Sequence, residues 1–282
     1  MASLKQSRLC EVVENLAVGD DTFRMVVRSP EIAGEVKPGQ FVSVRYEGTE
    51  AYLRRPFSIC AVNLAQGAFE ILYQIKGKGT QIMSRYRAGE FVDVLGPLGN
   101  GFQTKALKSG RAAIIGGGIG VFPLLLLARK LQADMQELPD IYLGYRDQSR
   151  VLLQQEFTEC SSNLIVMTED GSVGGRGYVT EPFQRRCEEE QNAPAYQMVY
   201  ACGPETMLRS VQRICADQRM ELQLSLEQRM GCGIGACLVC ACALTDKAEK
   251  AAGTGDVREN SMRYGHVCKE GPVFRGDEVI FE

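Results

Sequence analysis

The chemistry that this sequence can perform is concentrated in its cysteines. The chain has 282 residues and 11 Cys, and five of the Cys lie in the last 51 residues. Cys232, Cys237 and Cys240 follow the spacing C-x4-C-x2-C, and Cys268 comes 28 positions after Cys240. Three close thiolates with a distant fourth are typical of a [2Fe-2S] cluster. We therefore predict that these four residues ligate such a cluster.

A structural zinc ion is the alternative occupant of the same four thiolates. Zinc sites usually combine two short C-x2-C pairs, which is not the spacing found here. Gly233 and Gly235 allow a tight loop whose backbone N–H groups point at sulfur, as an iron-sulfur cluster requires. Cys242 is predicted to be a buried bystander.

A glycine-rich segment, Gly116 to Gly120, lies between a strand pattern and a helix pattern. Small residues at such a turn let a pyrophosphate approach the backbone and the start of the helix. The segment departs from G-x-G-x-x-G because Val121 stands at the third Gly position, so a tight turn without a ligand is the alternative. Residues 168–172 and Cys202 to Pro204 also follow predicted strands, where open parallel sheets bind ligands.

Nearer the N-terminus, a cation, a ring and a hydroxyl follow one another along a predicted strand. Alternation places Arg55 and Phe57 on one face and Pro56 and Ser58 on the other. A guanidinium suits a diphosphate, and a Ser hydroxyl suits a ring nitrogen. Residues 77–80, Gly-Lys-Gly-Thr, are a second possible phosphate cradle. Solvated arginines on an ordinary edge strand are the alternative, but the two motifs together predict a dinucleotide site.

Three regions that differ in pattern must position these residues. Residues 1–103 contain six short strand patterns separated by turns, which indicates a small antiparallel β-barrel. Residues 108–226 alternate strands and helices, which predicts a parallel α/β sheet covered on both faces. Residues 227–282 are rich in Gly and Cys and too short for a conventional core, so we expect an inorganic centre there and a surface loop over Thr245 to Met262. The predicted fold class is multidomain α/β plus β.

Composition excludes several other functions. The formal net charge is -3 and there is no basic block, so we expect no nucleic-acid or anionic-membrane partner. The only histidine, His266, rules out a multi-histidine metal site. The longest uncharged stretch, Ala112 to Ala128, contains four Gly and Pro123 and is too short to span a membrane. No apolar signal-peptide core follows Met1, so we expect a reducing cytoplasm.

The order of the motifs R-P-F-S, G-K-G-T, G-G-G-I-G and C-G-P resembles that of the ferredoxin reductase-like flavoproteins. With the C-terminal cysteine motif and Glu270 to Phe274, the chain resembles the electron-transfer subunits of NAD-dependent (class 1B) dihydroorotate dehydrogenases. The resemblance covers nearly the whole chain. It implies a barrel that binds FAD, an α/β domain that binds NAD and a [2Fe-2S] module. It also implies an FMN-containing dihydroorotate dehydrogenase catalytic subunit as partner, in a heterotetramer of two of each subunit.

The resemblance assigns residues to each cofactor. The FAD would be held by Arg55, Pro56, Phe57, Ser58, Leu72, Tyr73, Gln74, Gly79 and Thr80. The nicotinamide dinucleotide would be held by Gly116, Gly117, Gly118, Gly120, Cys202, Gly203 and Pro204. Two features depart from the family: the 27 residues between Cys240 and Cys268 form a long interval, and Arg146 and Arg150 can accept a 2′-phosphate, which leaves NADP open.

The function that the resemblance implies is electron transfer in pyrimidine (UMP) biosynthesis. Electrons from dihydroorotate, oxidised on the partner, would pass through the [2Fe-2S] cluster and FAD to NAD, with no acid-base residue on this chain. Alternatives of the same architecture are subunits of a sulfide dehydrogenase, a hydrogenase or an NADH-dependent ferredoxin:NADP oxidoreductase. An alternative of another class is a zinc-binding regulator built on a nucleotide-sensing domain.

Overall fold

The computed structural model describes residues 6–46, 52–104, 110–190, 193–246 and 261–281. These residues form a closed barrel, a seven-stranded sheet and a two-stranded hairpin. The predicted fold class is therefore confirmed. The predicted domain limits at 103, 108 and 226 stay predictions, and residues 105–109 lie outside the described part.

The barrel has six antiparallel strands, as predicted. They are β1 (Ser7–Ala17), β2 (Thr22–Arg28), β3 (Phe41–Arg45), β4 (Arg55–Asn63), β5 (Ala68–Gln74) and β6 (Phe91–Leu98). The barrel closes in the order β1-β2-β5-β4-β3-β6 around an apolar core that includes Met25, Ile59 and Phe69. Two short helices, α1 (Pro30–Glu35) and α2 (Lys78–Met83), interrupt the strands. The sequence patterns did not predict α1, because six residues are too few for a helical period to emerge.

The second region is a parallel sheet covered by helices. Its strands are β7 (Ala112–Gly117), β8 (Asp140–Tyr145), β9 (Asn163–Thr168), β10 (Gly175–Arg176), β11 (Met198–Cys202) and β12 (Glu221–Ser225). The helices are α3 (Phe122–Asp134), α4 (Gln154–Glu159), α5 (Thr180–Glu189) and α6 (Glu205–Asp217). The parallel strands are ordered β10-β9-β8-β7-β11-β12, so β8 to β10 lie on one side of β7 and β11 and β12 lie on the other. The sequential order of the strands therefore reverses between β7 and β11. Ligands of open α/β sheets bind at such a reversal, beyond the carboxyl ends of the strands.

The C-terminal region, residues 227–281, is called the cluster segment below. It contains a hairpin of β13 (Ala241–Asp246) and β14 (Ser261–His266), followed by β15 (Val273–Arg275). The expected surface loop over Thr245 to Met262 is wrong at both ends, because Thr245 pairs with Met262 in the hairpin; residues 247–260 lie outside the described residues. The strand β15 joins the large sheet by pairing antiparallel with β12.

The barrel and the sheet share an apolar contact. Cys60 and Leu72 of the barrel belong to the same buried cluster as Leu124 and Leu127 of α3. This packing holds the ends of β4 and β5 against the turn that follows β7. In the described ranges, no helix is long and apolar enough to cross a membrane.

Candidate functional site

One cavity of about 220 Å³ lies where the barrel, the sheet and the cluster segment meet. Six of the nine predicted FAD residues line it: Pro56, Phe57, Ser58, Leu72, Tyr73 and Gln74. The sheet contributes Ile119 and Cys202, and the cluster segment contributes Met230. The cavity is therefore lined by residues of the predicted FAD set, by one residue of the predicted nicotinamide set and by the segment that carries the cysteines.

The consecutive residues Pro56, Phe57 and Ser58 of β4 all line this cavity, and alternation is seen only at the next two residues. Ile59 is fully buried in the barrel core, whereas Cys60 packs with the apolar residues of α3. The ring of Phe57 lies 5.6 Å from the ring of Tyr73 on the adjacent strand. Strand pairing fixes both sides of the cavity, so a flat aromatic cofactor would meet a preformed surface.

The other three predicted FAD residues lie outside the lining of this cavity. A guanidinium nitrogen of Arg55 donates to the carbonyl of Leu53 at 2.6 Å. The hydroxyl of Thr80 accepts the N–H of Lys76 at 2.9 Å and thereby holds the turn before α2. A Cβ on Gly79 would lie 1.8 Å from the hydroxyl oxygen of Tyr46, so the site tolerates only glycine there. This glycine cradle fits the close approach of a diphosphate.

A second cavity, of about 650 Å³, lies at the carboxyl ends of the parallel strands. Gly117, Gly118 and Pro204 of the predicted nicotinamide set line it. Register places Cys202 opposite Gly116 on neighbouring strands. A Cβ on Gly120 would lie 2.5 Å from the carbonyl oxygen of Cys202. The two glycine-containing segments therefore abut at the strand-order reversal, which is where open α/β sheets bind their ligands.

Two further glycines of the predicted nicotinamide set pack closely against neighbouring side chains. A Cβ on Gly203 would lie 2.6 Å from the terminal carbon of Met207, and one on Gly116 would lie 2.9 Å from Val121. Burial raises the pKa of the Cys202 thiol, so this side chain is a neutral contact.

Only one of the two arginines considered for a 2′-phosphate lines the 650 Å³ cavity. Arg146 lines it together with Glu169. Arg150 instead donates to both carboxylate oxygens of Asp21 in the barrel, at 2.7 and 2.6 Å. The hydrogen bond from Arg150 lowers the pKa of Asp21. Arg150 is therefore held by the barrel.

The four predicted cluster ligands come together as two pairs. The Cys232 sulfur is within hydrogen-bond reach of Cys237, and the Cys268 sulfur is within reach of Cys240. The long interval between Cys240 and Cys268 is explained by the hairpin, because Ala241 pairs with His266 and returns the chain to its starting point.

Backbone N–H groups point at the sulfurs, as the glycines of the loop predicted. The Cys232 sulfur accepts the N–H of Ile234 at 3.4 Å and that of Ala236 at 3.2 Å. The N–H of Gly235 donates to the Cys268 sulfur at 3.1 Å. Burial acts to raise the pKa of Cys232, but the N–H groups of Ile234 and Ala236, together with Cys237, lower it to about 6. Thiolate character at neutral pH makes Cys232 a ready metal ligand.

The pairing of the sulfurs is compatible with an iron-sulfur cluster. In a [2Fe-2S] cluster each iron takes two protein ligands, and the four thiols form two pairs here. The donor set fits the iron-sulfur cluster.

Comparisons with known proteins give the same three parts. Residues 9–102 match an oxidoreductase FAD-binding domain, and residues 114–213 match an oxidoreductase NAD-binding domain. Residues 227–280 match the iron-sulfur cluster binding domain of dihydroorotate dehydrogenase B. The predicted cofactor set of FAD, NAD and an iron-sulfur cluster is therefore confirmed at the level of domains.

Relatives match along nearly the whole chain. The electron transfer subunit of dihydroorotate dehydrogenase B (NAD(+)) from Clostridium acetobutylicum is 37% identical over 96% of this chain and 96% of its own length. That from Desulforamulus reducens is 36% identical over 94% and 95%.

Solved structures show the same fold. A structure of the NADH-dependent reduced ferredoxin-NADP oxidoreductase has a TM-score of 0.80 and 27% identity, and covers 99% of this chain and 91% of its own. The ferredoxin reductase in carbazole 1,9a-dioxygenase, at 19% identity and a TM-score of 0.65, covers 78% of this chain and 68% of its own and shares the fold. With this fold, these cofactor domains and relatives of this identity, the chain belongs to the oxidoreductase family of electron transfer subunits of dihydroorotate dehydrogenase B (NAD(+)).

Proposed function

We propose that this chain carries electrons from dihydroorotate to NAD in pyrimidine biosynthesis. Dihydroorotate would be oxidised on an FMN-containing catalytic subunit, in a heterotetramer with two copies of each chain. The observation that carries the proposal is the 220 Å³ cavity between the three parts of the molecule. A relay needs its redox groups close together, and flavin-set, nicotinamide-set and cluster-segment residues line this one cavity.

When bound, FAD exchanges single electrons with an iron-sulfur cluster and electron pairs, as hydride, with a nicotinamide. The residues of this chain bind and orient. Phe57, Leu72 and Phe122 give the cavity apolar surface against which a flat ring can pack. Gly117 and Gly118 leave the backbone accessible to the dinucleotide.

The cluster loop, residues 227–240, packs against the barrel. A Cβ on Gly233 would lie 3.5 Å from Leu98 of β6 and 3.6 Å from the hydroxyl of Ser43 in β3. This contact supports electron entry beside the flavin strands. His266 lies in β14, outside the lining of the cavity, and we assign the acid-base chemistry of dihydroorotate to the partner subunit.

Exposed apolar side chains support a partner at the cluster. Ile234, Leu238 and Val239 are 54%, 64% and 56% exposed and flank Cys237 and Cys240, and Met262 and Tyr264 are exposed on β14. Large apolar side chains gathered on a surface mark an interaction site. We call these five residues the cluster face and propose that the catalytic subunit docks there.

A second candidate is the flavin and iron-sulfur subunit of another reductase. It is favoured by the TM-score of 0.80 to the ferredoxin-NADP oxidoreductase structure. The two candidates differ in the electron donor and in the partner, so a donor assay separates them.

The test is to co-purify this chain anaerobically with the candidate catalytic subunit and to measure NAD reduction driven by dihydroorotate. We expect a stable complex, activity that requires both chains, and flavin, iron and sulfide in this chain. Activity from this chain alone would contradict the two-subunit scheme. If the purified protein were colourless and contained zinc, the electron-transfer function would be rejected in favour of the zinc-binding regulator.

A further inference from the structure

Tyr46 carries a buried hydroxyl that the protein itself does not satisfy. Its side chain is only 3% exposed, directly after β3. Among the described residues, only two buried side-chain nitrogen or oxygen atoms have no hydrogen-bond partner, and they are Arg24 Nε and Tyr46 Oη. Buried polar groups are almost always paired, so each exception requires an explanation.

The exception at Arg24 is explained within the protein. Its terminal nitrogens form ion pairs with Glu14 and Glu70, so the guanidinium is already compensated. A tyrosine has a single polar atom and cannot be compensated in this way. The hydroxyl of Tyr46 therefore points to a partner that is not part of the chain.

The surroundings of this hydroxyl indicate what the partner is. Oη lies against Gly79, where a Cβ would approach it to 1.8 Å. Arg55 is paired with Val44 across β3 and β4, and its charge acts on Tyr46. The hydroxyl thus lies against the glycine of the proposed FAD diphosphate site and within the electrostatic reach of its cation. Burial raises the pKa of Tyr46, so the phenol stays protonated and can donate at neutral pH.

We propose that Tyr46 is an FAD-positioning residue whose hydroxyl donates a hydrogen bond to the FAD diphosphate beside Gly79. The inference rests on the FAD site proposed above. The isoalloxazine ring is not the partner, because Tyr46, Arg55 and Gly79 do not line the 220 Å³ cavity that Phe57 and Tyr73 border.

The test compares Tyr46→Phe with Tyr200→Phe in the full, cofactor-loaded chain. Tyr200 is a matched control, because its fully buried hydroxyl donates to the carbonyl of Gln103 at 3.2 Å. FAD release is followed by the increase in flavin fluorescence on dilution. A hydrogen bond to a charged group is lost in Tyr46→Phe, so we expect FAD to bind about tenfold more weakly and to leave correspondingly faster. Tyr200→Phe should release FAD at the unchanged rate.

A second measurement separates positioning from structural support. In the flavin-free chain the Tyr46 hydroxyl has no protein partner, so Tyr46→Phe should unfold at a temperature no lower than the unchanged chain. Tyr200→Phe loses a hydrogen bond and should unfold at a lower temperature. FAD should then raise the unfolding temperature of Tyr46→Phe less than that of the unchanged chain.

Two outcomes would overturn the role of Tyr46: an unchanged rate of FAD release in Tyr46→Phe, or destabilisation of its flavin-free form equal to that of Tyr200→Phe. An unchanged chain that binds no FAD would instead refute the proposed function.

Discussion

The barrel and the cluster loop hold their cofactor residues in opposite ways. In the barrel, six FAD-set residues lie on two strands that are hydrogen-bonded on both sides. Residues 227–240 contain neither helix nor strand, and Gly233, Gly235 and Leu238 have φ values of 74°, 82° and 58°. The loop depends on N–H contacts to sulfur for its shape. The shape of the flavin site is thus determined by hydrogen-bonded strands without the cofactor. The shape of the cluster loop is determined by its contacts to the cysteine sulfurs.

The strongest test of this contrast is Cys268→Ser. Cys268 is one of the four paired thiols, so we expect nearly complete loss of bound iron with FAD retained. Iron analysis and the flavin absorbance of purified protein measure the two contents separately. Cys242→Ser is the control and should keep both. Loss of FAD together with iron would show that the two sites are not independent.

The reverse test is Gly79→Ala. The new methyl group would lie 1.8 Å from Oη and 2.8 Å from Cζ of Tyr46, so the barrel cradle must distort. We expect FAD content to fall at least tenfold while iron content is unchanged. Gly34→Ala is the control, because its Cβ would meet nothing within 4 Å and it lies outside residues 77–80. Equal loss of FAD in the control would show that the effect is not specific to the turn at Gly79.

A smaller effect is expected from Gly235→Ala in the cluster loop. Its φ of 82° disfavours a side chain by about 1–2 kcal/mol, and a Cβ would lie 2.6 Å from Lys269 Cδ. Iron should be removed faster by a chelator, with the barrel unaffected. Gly34→Ala in α1 has open space and should stabilise the chain by about 0.5–1 kcal/mol. Equal chelation rates in both variants would mean that the loop backbone does not hold the cluster.

The smallest effect is expected from Arg150→Gln, which removes the ion pair between the sheet and the barrel. Both side chains are more than a third exposed, so the loss of unfolding free energy should be about 0–1 kcal/mol. Thermal unfolding and FAD content check this. Release of FAD would show that the barrel needs the sheet to hold its cofactor.

Regular periodicity made much of this molecule predictable. The barrel strands and the alternating sheet carry local apolar patterns, and β7 and β11 were found from short apolar runs. The four cysteines were predicted to be cluster ligands from their spacing, because cluster ligation imposes such a spacing, and this assignment stays a prediction. The site assignments of Gly79 and Thr80 came from family resemblance and stay predictions.

What the sequence did not reveal depends on long-range contacts. The hairpin of β13 and β14 was missed because Ala241 and His266 are far apart in the chain, and their strands lack an apolar alternation. Tyr46 belongs to none of the motifs, and the orphaned hydroxyl that distinguishes it exists only in the folded chain. Arg150 was considered as a possible acceptor of a 2′-phosphate because Asp21, more than a hundred residues earlier, gives no local signal.

The pairing of β15 with β12 makes the cluster segment a closed excursion. Ser225, just before the segment, lies opposite Val273, near its end. The chain therefore leaves the sheet after Ser225 and rejoins it beside the same residue at Val273. Lengthening a closed loop costs little, because its entropy changes only with the logarithm of its length. The interval between Cys240 and Cys268 can accordingly change in length at little cost and without shifting the register of the large sheet.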